Sequence, residues 1–141
     1  ENMIVIKQRF KKGIITAAVI GILYLAIYFI CYQFFFIGRD FHLYTPDWTA
    51  KNILWVAAVI SAVPAFFGAY LFPYITLAGY IAGVICGELF GKTMLQDDLR
   101  SMSYHYGWFI CISIYLCSCL IGIVAQTILK RKSTQNEHTL L

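Results

Sequence analysis

A long apolar block at residues 53–90 constrains this chain more than any other feature of its sequence. It carries one charged side chain, Glu88, and a single helix over it would be about 57 Å long at ~1.5 Å of rise per residue. Since the hydrocarbon core of a bilayer is only about 30 Å thick, one crossing cannot contain such a helix. Pro73 lacks an N–H and biases Phe72 away from helical dihedrals, so we predict a tight hairpin of two helices that breaks there.

Two further apolar runs, at residues 13–37 and 107–129, carry no charge at all. The first is too long for a cleaved signal peptide and ends in three phenylalanines, so we expect it to remain as an anchor. The sequence therefore predicts a single all-α domain over residues 1–141, an integral membrane four-helix bundle followed by a polar tail at 133–141. Its predicted spans are about 13–37, 46–71, 73–91 and 107–129.

The second span has recognisable helix signals at its start and inside it. Thr45 is a suitable N-cap, Pro46 fits the first turn, and Asp47 complements the positive end of the helix dipole. Pro64 lies inside the span, and we expect it to kink the helix.

The composition agrees with a membrane protein and argues against a soluble one. Hydrophobic residues make up 60% of the chain and charged residues 13%, against roughly 25% charged in soluble domains. The basic residues cluster at the chain ends and flank apolar runs, which is typical of topology signals and not of a nucleic-acid interface.

The basic residues also predict the orientation in the membrane. Seven of them lie near the termini and four in the loops that connect the spans. The seven are Lys7, Arg9, Lys11, Lys12, Lys130, Arg131 and Lys132. Because cytoplasmic segments are enriched in Lys and Arg, we predict a multi-pass protein of the cell membrane with both termini in the cytoplasm.

Small residues recur every four positions on both helices of the predicted hairpin, a pattern typical of glycine zippers. The third helix carries Gly79, Gly83, Gly87 and Gly91, and the second carries Ala57, Ser61, Ala65 and Ala69. Residues four apart share one helix face, so a turn near Phe72 predicts that Ser61 lies level with Gly83 and Ala65 with Gly79. This seam either closes the hairpin or packs against a second copy or a partner.

Glu88 is the one ionisable residue well inside an apolar span, which makes it a candidate for coupling or gating. The alternative is an interfacial ion pair with Lys92, four residues later, in the favourable order. Tyr24, Tyr28 and Tyr32 form a stripe on the first helix. Their hydroxyls need partners inside a bilayer, so they indicate either aromatic packing between helices or a polar track for a substrate. The candidates opposite such a track are Gln33, Thr76 and Gln126.

No pattern in the sequence points to catalysis, a cofactor or a metal. The five cysteines form no CxxC pair, and His42 and His105 lack ligand spacing. The sequence favours a non-enzymatic accessory or regulatory subunit that packs against a membrane partner. The alternative is a small homo-oligomeric channel or transporter with Glu88 in coupling or gating. The expected partners are the lipid bilayer and either further copies or a larger membrane protein, and not nucleic acid.

Overall fold

A computed structural model describes the chain at residues 2–35, 53–97, 100–105 and 107–139. These described residues form four helices and two short strands. The helices are α1 (Asn2–Phe35), α2 (Leu54–Phe66), α3 (Phe72–Phe90) and α4 (Gly107–Thr139), and the strands are β1 (Lys92–Asp97) and β2 (Arg100–His105).

A helix overlaps each predicted span, but the helix ends differ from the predicted limits. α1 begins at Asn2 and α4 continues to Thr139, so the polar residues beyond position 132 extend the last helix. This stretch contains no Gly or Pro until the chain end, so nothing in it interrupts the helical hydrogen bonds. The predicted cap at Thr45, Pro46 and Asp47 lies outside the described residues.

The connection between α3 and α4 differs from the all-α prediction, because it forms an antiparallel β-hairpin. Lys92 pairs with His105 at one end of the ladder and Asp97 with Arg100 at the other. Residues 92–105 lie outside the apolar runs and have no helical pattern of apolar residues. Pairing the two strands satisfies the backbone N–H and C=O groups on their facing edges.

The α2–α3 turn lies a few residues before the predicted break. Pro64 is in the last turn of α2, and its carbonyl accepts from the N–H groups of Phe67 and Ala69 at 3.1 and 3.0 Å. Gly68 has a φ of +85°, which favours glycine. Pro73 then occupies the first turn of α3, where its missing N–H leaves no intrahelical bond unmade.

The glycine stripe of α3 packs against α4 and not against α2, so it does not close the α2–α3 hairpin, which was one of the two predicted alternatives. A Cβ atom added to Gly79 would meet Ser118, and one added to Gly83 would lie 2.9 Å from the Cys111 carbonyl oxygen. Gly91 similarly faces Gly107. The two helices therefore run antiparallel in close contact along most of the length of α3.

The small face of α2 packs mainly against α1. Ala57, Ser61 and Ala65 are all buried, and a Cβ atom added to Gly13 of α1 would lie 2.9 Å from the Ala65 carbonyl oxygen. Ser61 also contacts Thr76 of α3. Because Thr76 lies seven positions before Gly83, the predicted level of Ser61 on α3 was wrong by about two helical turns.

The four helices share one core, whose members include residues from every helix. The core residues are Ile20, Tyr24, Leu54, Ala57, Leu77, Tyr80, Val84, Cys111 and Tyr115. Large apolar side chains are also exposed along all four helices, as at Ile22, Val59, Ile85 and Leu120. Two segments, Met3–Ile30 and Gly107–Gln135, are long and apolar enough to cross a membrane.

Gly83→Leu tests the α3–α4 contact. The added side chain would displace the backbone of Cys111, so we expect the variant to lose about 1–3 kcal/mol of stability. Ile81→Leu is the control, because Ile81 is exposed on the same helix. Thermal unfolding in detergent measures both, and equal midpoints for the two variants would contradict the packing described.

Candidate functional site

Four buried side-chain hydroxyls, one from each helix, meet between the helices. We call Tyr24, Ser61, Thr76 and Tyr115 the hydroxyl cluster. The Ser61 Oγ atom is its centre and lies 2.9 Å from the Tyr24 hydroxyl, 2.7 Å from Thr76 Oγ1 and 3.2 Å from the Tyr115 hydroxyl. No member of the cluster is more than 5% exposed.

Local sequence explains why these side chains reach one point. Ser61 lies on the small face of α2 between Ala57 and Ala65, which allows the neighbouring helices to approach closely. Tyr24 lies four residues after Ile20 on the inward face of α1. Thr76 lies one turn into α3, where its hydroxyl reaches both Ser61 and the backbone of the first turn.

The hydrogen bonds of the hydroxyl cluster have one consistent direction. Thr76 donates to the carbonyl oxygens of Phe72 and Pro73, each at 3.0 Å, so it accepts from Ser61. A hydroxyl has one proton and two lone pairs. Ser61 has then used its only proton and accepts from Tyr24.

Tyr115 completes the hydroxyl cluster from α4. Its hydroxyl donates to the Ala57 carbonyl oxygen at 2.9 Å, and the same proton lies within reach of the second lone pair of Ser61 Oγ. Each of the four protons therefore has an acceptor, as buried polar groups require.

Tyr80 of α3 encloses the hydroxyl cluster on its apolar side. Its ring centroid lies 5.4 Å from that of Tyr24 and 6.2 Å from that of Tyr115, the latter with an interplanar angle of 84°. Such tilted and edge-to-face pairs are favourable arrangements of aromatic rings. The cluster is thus shielded from solvent by aromatic packing.

The chemistry of the hydroxyl cluster is that of neutral donors and acceptors. An alcohol becomes a useful nucleophile when a base takes its proton. Here the hydroxyls contact other hydroxyls and backbone carbonyls, and Tyr115 also contacts the Cys119 thiol. Within the described part of the chain, no three His, Cys, Asp or Glu side chains are grouped so as to hold a metal ion. The arrangement is suited to fixing the helices relative to one another.

The structure brings together some of the residues that the sequence singled out. Tyr24 of the tyrosine stripe bonds to Ser61 of the small face, and Thr76, a predicted partner for that stripe, joins them. Tyr28 packs against the edge of the core. The side chains of Tyr32, Glu88 and Lys92 lie outside the described residues, so the predicted coupling or gating role of these three stays a prediction.

Tyr115 is the member of the hydroxyl cluster that sequence reasoning missed. The signal was present as a spacing, because Cys111, Tyr115, Ser118 and Gly122 recur every three to four residues along α4 and all four are buried. Three of them are small, which marks the face of α4 that receives α3.

A second group of polar contacts lies beyond the C-terminal end of α2, where the α2–α3 turn meets α1 and α4. The Leu71 N–H donates to Gln126 Oε1 at 3.1 Å, and the Tyr70 hydroxyl donates to the Arg9 carbonyl oxygen at 3.1 Å. The Lys12 ammonium lies 4.6 Å from the centre of the Tyr70 ring, within cation–π range. We call this the basic end of the molecule.

Comparison of the chain with known protein families, with curated proteins and with solved structures finds no match.

Ser61→Ala tests whether the hydroxyl cluster holds the helices together. Tyr24 would lose its acceptor inside the core, so we expect a loss of about 1–2 kcal/mol, above the ~0.6 kcal/mol average for hydrogen bonds in membrane proteins. In a Tyr24→Phe background the same change should cost clearly less, because the unsatisfied hydroxyl is gone.

The matched control is Ser113→Ala, since Ser113 is exposed and its hydroxyl bonds only to the Phe109 carbonyl of its own helix. Unfolding in detergent gives the stabilities of the wild type, the two single variants at Ser61 and Tyr24, their double variant and Ser113→Ala. If Ser61→Ala costs no more than Ser113→Ala, the cluster does not stabilise the fold.

Proposed function

We propose that this chain is an integral membrane protein whose four helices cross a bilayer, with both termini in the cytoplasm. Two segments, Met3–Ile30 and Gly107–Gln135, support this proposal because they are long and apolar enough to cross a membrane. The helices α2 and α3 are also apolar, but they are shorter. Exposed apolar side chains on all four helices suit lipid, because hydrocarbon needs no polar cover.

The basic end supports the proposed orientation. Contacts of Tyr70 with Arg9 and of Leu71 with Gln126 bring the start of α1, the α2–α3 turn and the second half of α4 to one end of the molecule. The basic residues flanking the first and last apolar runs are exposed there. Lys and Arg are enriched on the cytoplasmic side of membranes, so this end faces the cytoplasm.

Reporter fusions in a bacterial host test this orientation. Green fluorescent protein matures in the cytoplasm and alkaline phosphatase is active outside it. We expect fluorescence and no phosphatase activity for fusions after Leu141. Insertion between Asp97 and Arg100 should give the opposite result. Phosphatase activity from the Leu141 fusion would overturn the proposed orientation.

Within the membrane, the chain acts as a non-enzymatic accessory or regulatory subunit that packs against a partner helix. The observation that carries this proposal is the unfilled small face at Gly21 of α1. A Cβ atom added to Gly21 meets no atom of the described residues within 4 Å, unlike those added to Gly79 or Gly83. Ala17, four residues earlier, lies on the same face and is also only partly buried.

Glycine inside a helix costs roughly 0.5–1 kcal/mol relative to alanine, and no contact within the described chain uses the space at Gly21. Two small residues four apart allow a second helix to approach closely, which is the geometry of many membrane helix pairs. The neutral hydroxyl cluster fills the space between the four helices. A partner therefore binds to the outer faces of the helices.

Gly21→Leu tests the docking face. Purified from its native host in mild detergent, the wild-type chain should run as a complex with a larger membrane protein, with the mass measured by light scattering. We expect Gly21→Leu to reduce the bound partner by about tenfold, since overpacking typically costs 1–3 kcal/mol.

Ala26→Leu is the matched control, because Ala26 is exposed on α1 about 140° around the helix from Gly21. It should keep the partner, and both variants should unfold at the wild-type temperature. A stable homo-oligomer would replace this proposal with the channel or transporter, and a lone monomer would contradict both.

A further inference from the structure

A groove at the basic end is lined by apolar side chains in one part and by two basic side chains in another. Its volume is about 1010 Å³, and it lies between the end of α2, the start of α3 and the second half of α4. Pro64, Phe72 and Ile123 line its apolar part, and Lys130 and Arg131 line its outer part. Since Ile123 and Lys130 are seven residues apart on one helix, about 10 Å separates the two parts.

A smaller cavity of about 380 Å³ adjoins the groove and adds a third cation. Arg9 and Tyr70 line it, and it shares Gln126 and Lys130 with the groove. Lys130 therefore stands between the two cavities, with Arg131 on one side and Arg9 on the other. No carboxylate is among the described residues that line either cavity.

The groove offers hydrogen-bond donors to a ligand from Gln126, Lys130 and Arg131, and not from its two threonines. Thr127 and Thr134 donate to carbonyls of their own helix, at 2.8 and 3.1 Å. Gln126 uses its Oε1 atom to accept from Leu71, which leaves its amide NH2 as the group that reaches a ligand. Together with Lys130 and Arg131 it forms a set of donors suited to an anion.

We propose that the groove binds one anionic phospholipid. Its phosphate lies among Lys130, Arg131 and the Gln126 amide, with Arg9 close by, and one acyl chain follows Phe72 and Ile123 toward the middle of the bilayer. This proposal rests on the proposed membrane orientation, which places the basic end at the anionic cytoplasmic leaflet. It does not depend on the partner helix at Gly21.

The test compares lipids of equal chain length that differ in headgroup charge. Native mass spectrometry of the full chain in detergent should show tighter binding of phosphatidylglycerol than of phosphatidylcholine. The double variant Lys130→Gln/Arg131→Gln should weaken phosphatidylglycerol binding by about thirtyfold, since each of the two basic side chains near a lipid surface contributes roughly 1 kcal/mol. The control Lys7→Gln/Lys11→Gln removes the same charge from exposed residues outside both cavities, and it should change binding by no more than about twofold.

A second variant, Ile123→Trp, fills the apolar part without a change of charge and should also reduce phosphatidylglycerol binding. If the two charge variants lost phosphatidylglycerol binding equally, the result would overturn binding in the groove and favour a diffuse electrostatic attraction. If inorganic phosphate stabilised the chain as much as phosphatidylglycerol does, the result would overturn the proposal that the ligand is a lipid. A failed reporter-fusion test would overturn the membrane orientation itself, whereas correct fusions with no headgroup preference would overturn only the lipid site.

Discussion

The need of Ser61 for hydrogen-bond partners in an apolar interior organises the packing of all four helices. A serine hydroxyl has one proton and two lone pairs, and here each is used by a different helix. α2 supplies the serine and a backbone carbonyl, and the other helices supply one hydroxyl each. In a core otherwise made of aliphatic and aromatic groups, which pack without strong direction, these bonds specify the relative depth of the helices.

Small residues divide the packing into two close contacts that meet at the hydroxyl cluster. The glycines of α3 receive α4, and the alanines of α2 receive α1. Each contact brings two backbones together over several turns, and Ser61 joins the two pairs. The contact between α2 and α3, which are neighbours in sequence, depends on the short Gly68 turn and on the Ser61–Thr76 bond. The two helices with the shortest connection are therefore not the pair whose backbones pack most closely.

The sequence predicts the number of helices, because apolar run length and the prolines limit each helix independently of the others. It also predicts that Tyr24 needs a polar partner, since a hydroxyl in an apolar environment is costly. It does not predict which helix receives the glycine stripe. A spacing of four defines a face on one helix, and Ala57, Ser61 and Ala65 fit that face as well as the stripe at Cys111, Ser118 and Gly122 does. The hairpin of β1 and β2 was missed for a related reason, since strand pairing at residues 92–105 has no strong apolar pattern.

The fixed direction of the hydrogen bonds around Ser61 has a consequence for ion and proton movement. A chain of hydroxyls relays protons only if all its members can rotate together and reverse the direction of donation. Here reversal would take the Thr76 proton away from two backbone carbonyls, and the Tyr115 proton is held by a third. A concerted reversal of the hydroxyl cluster would therefore break these hydrogen bonds to backbone carbonyls.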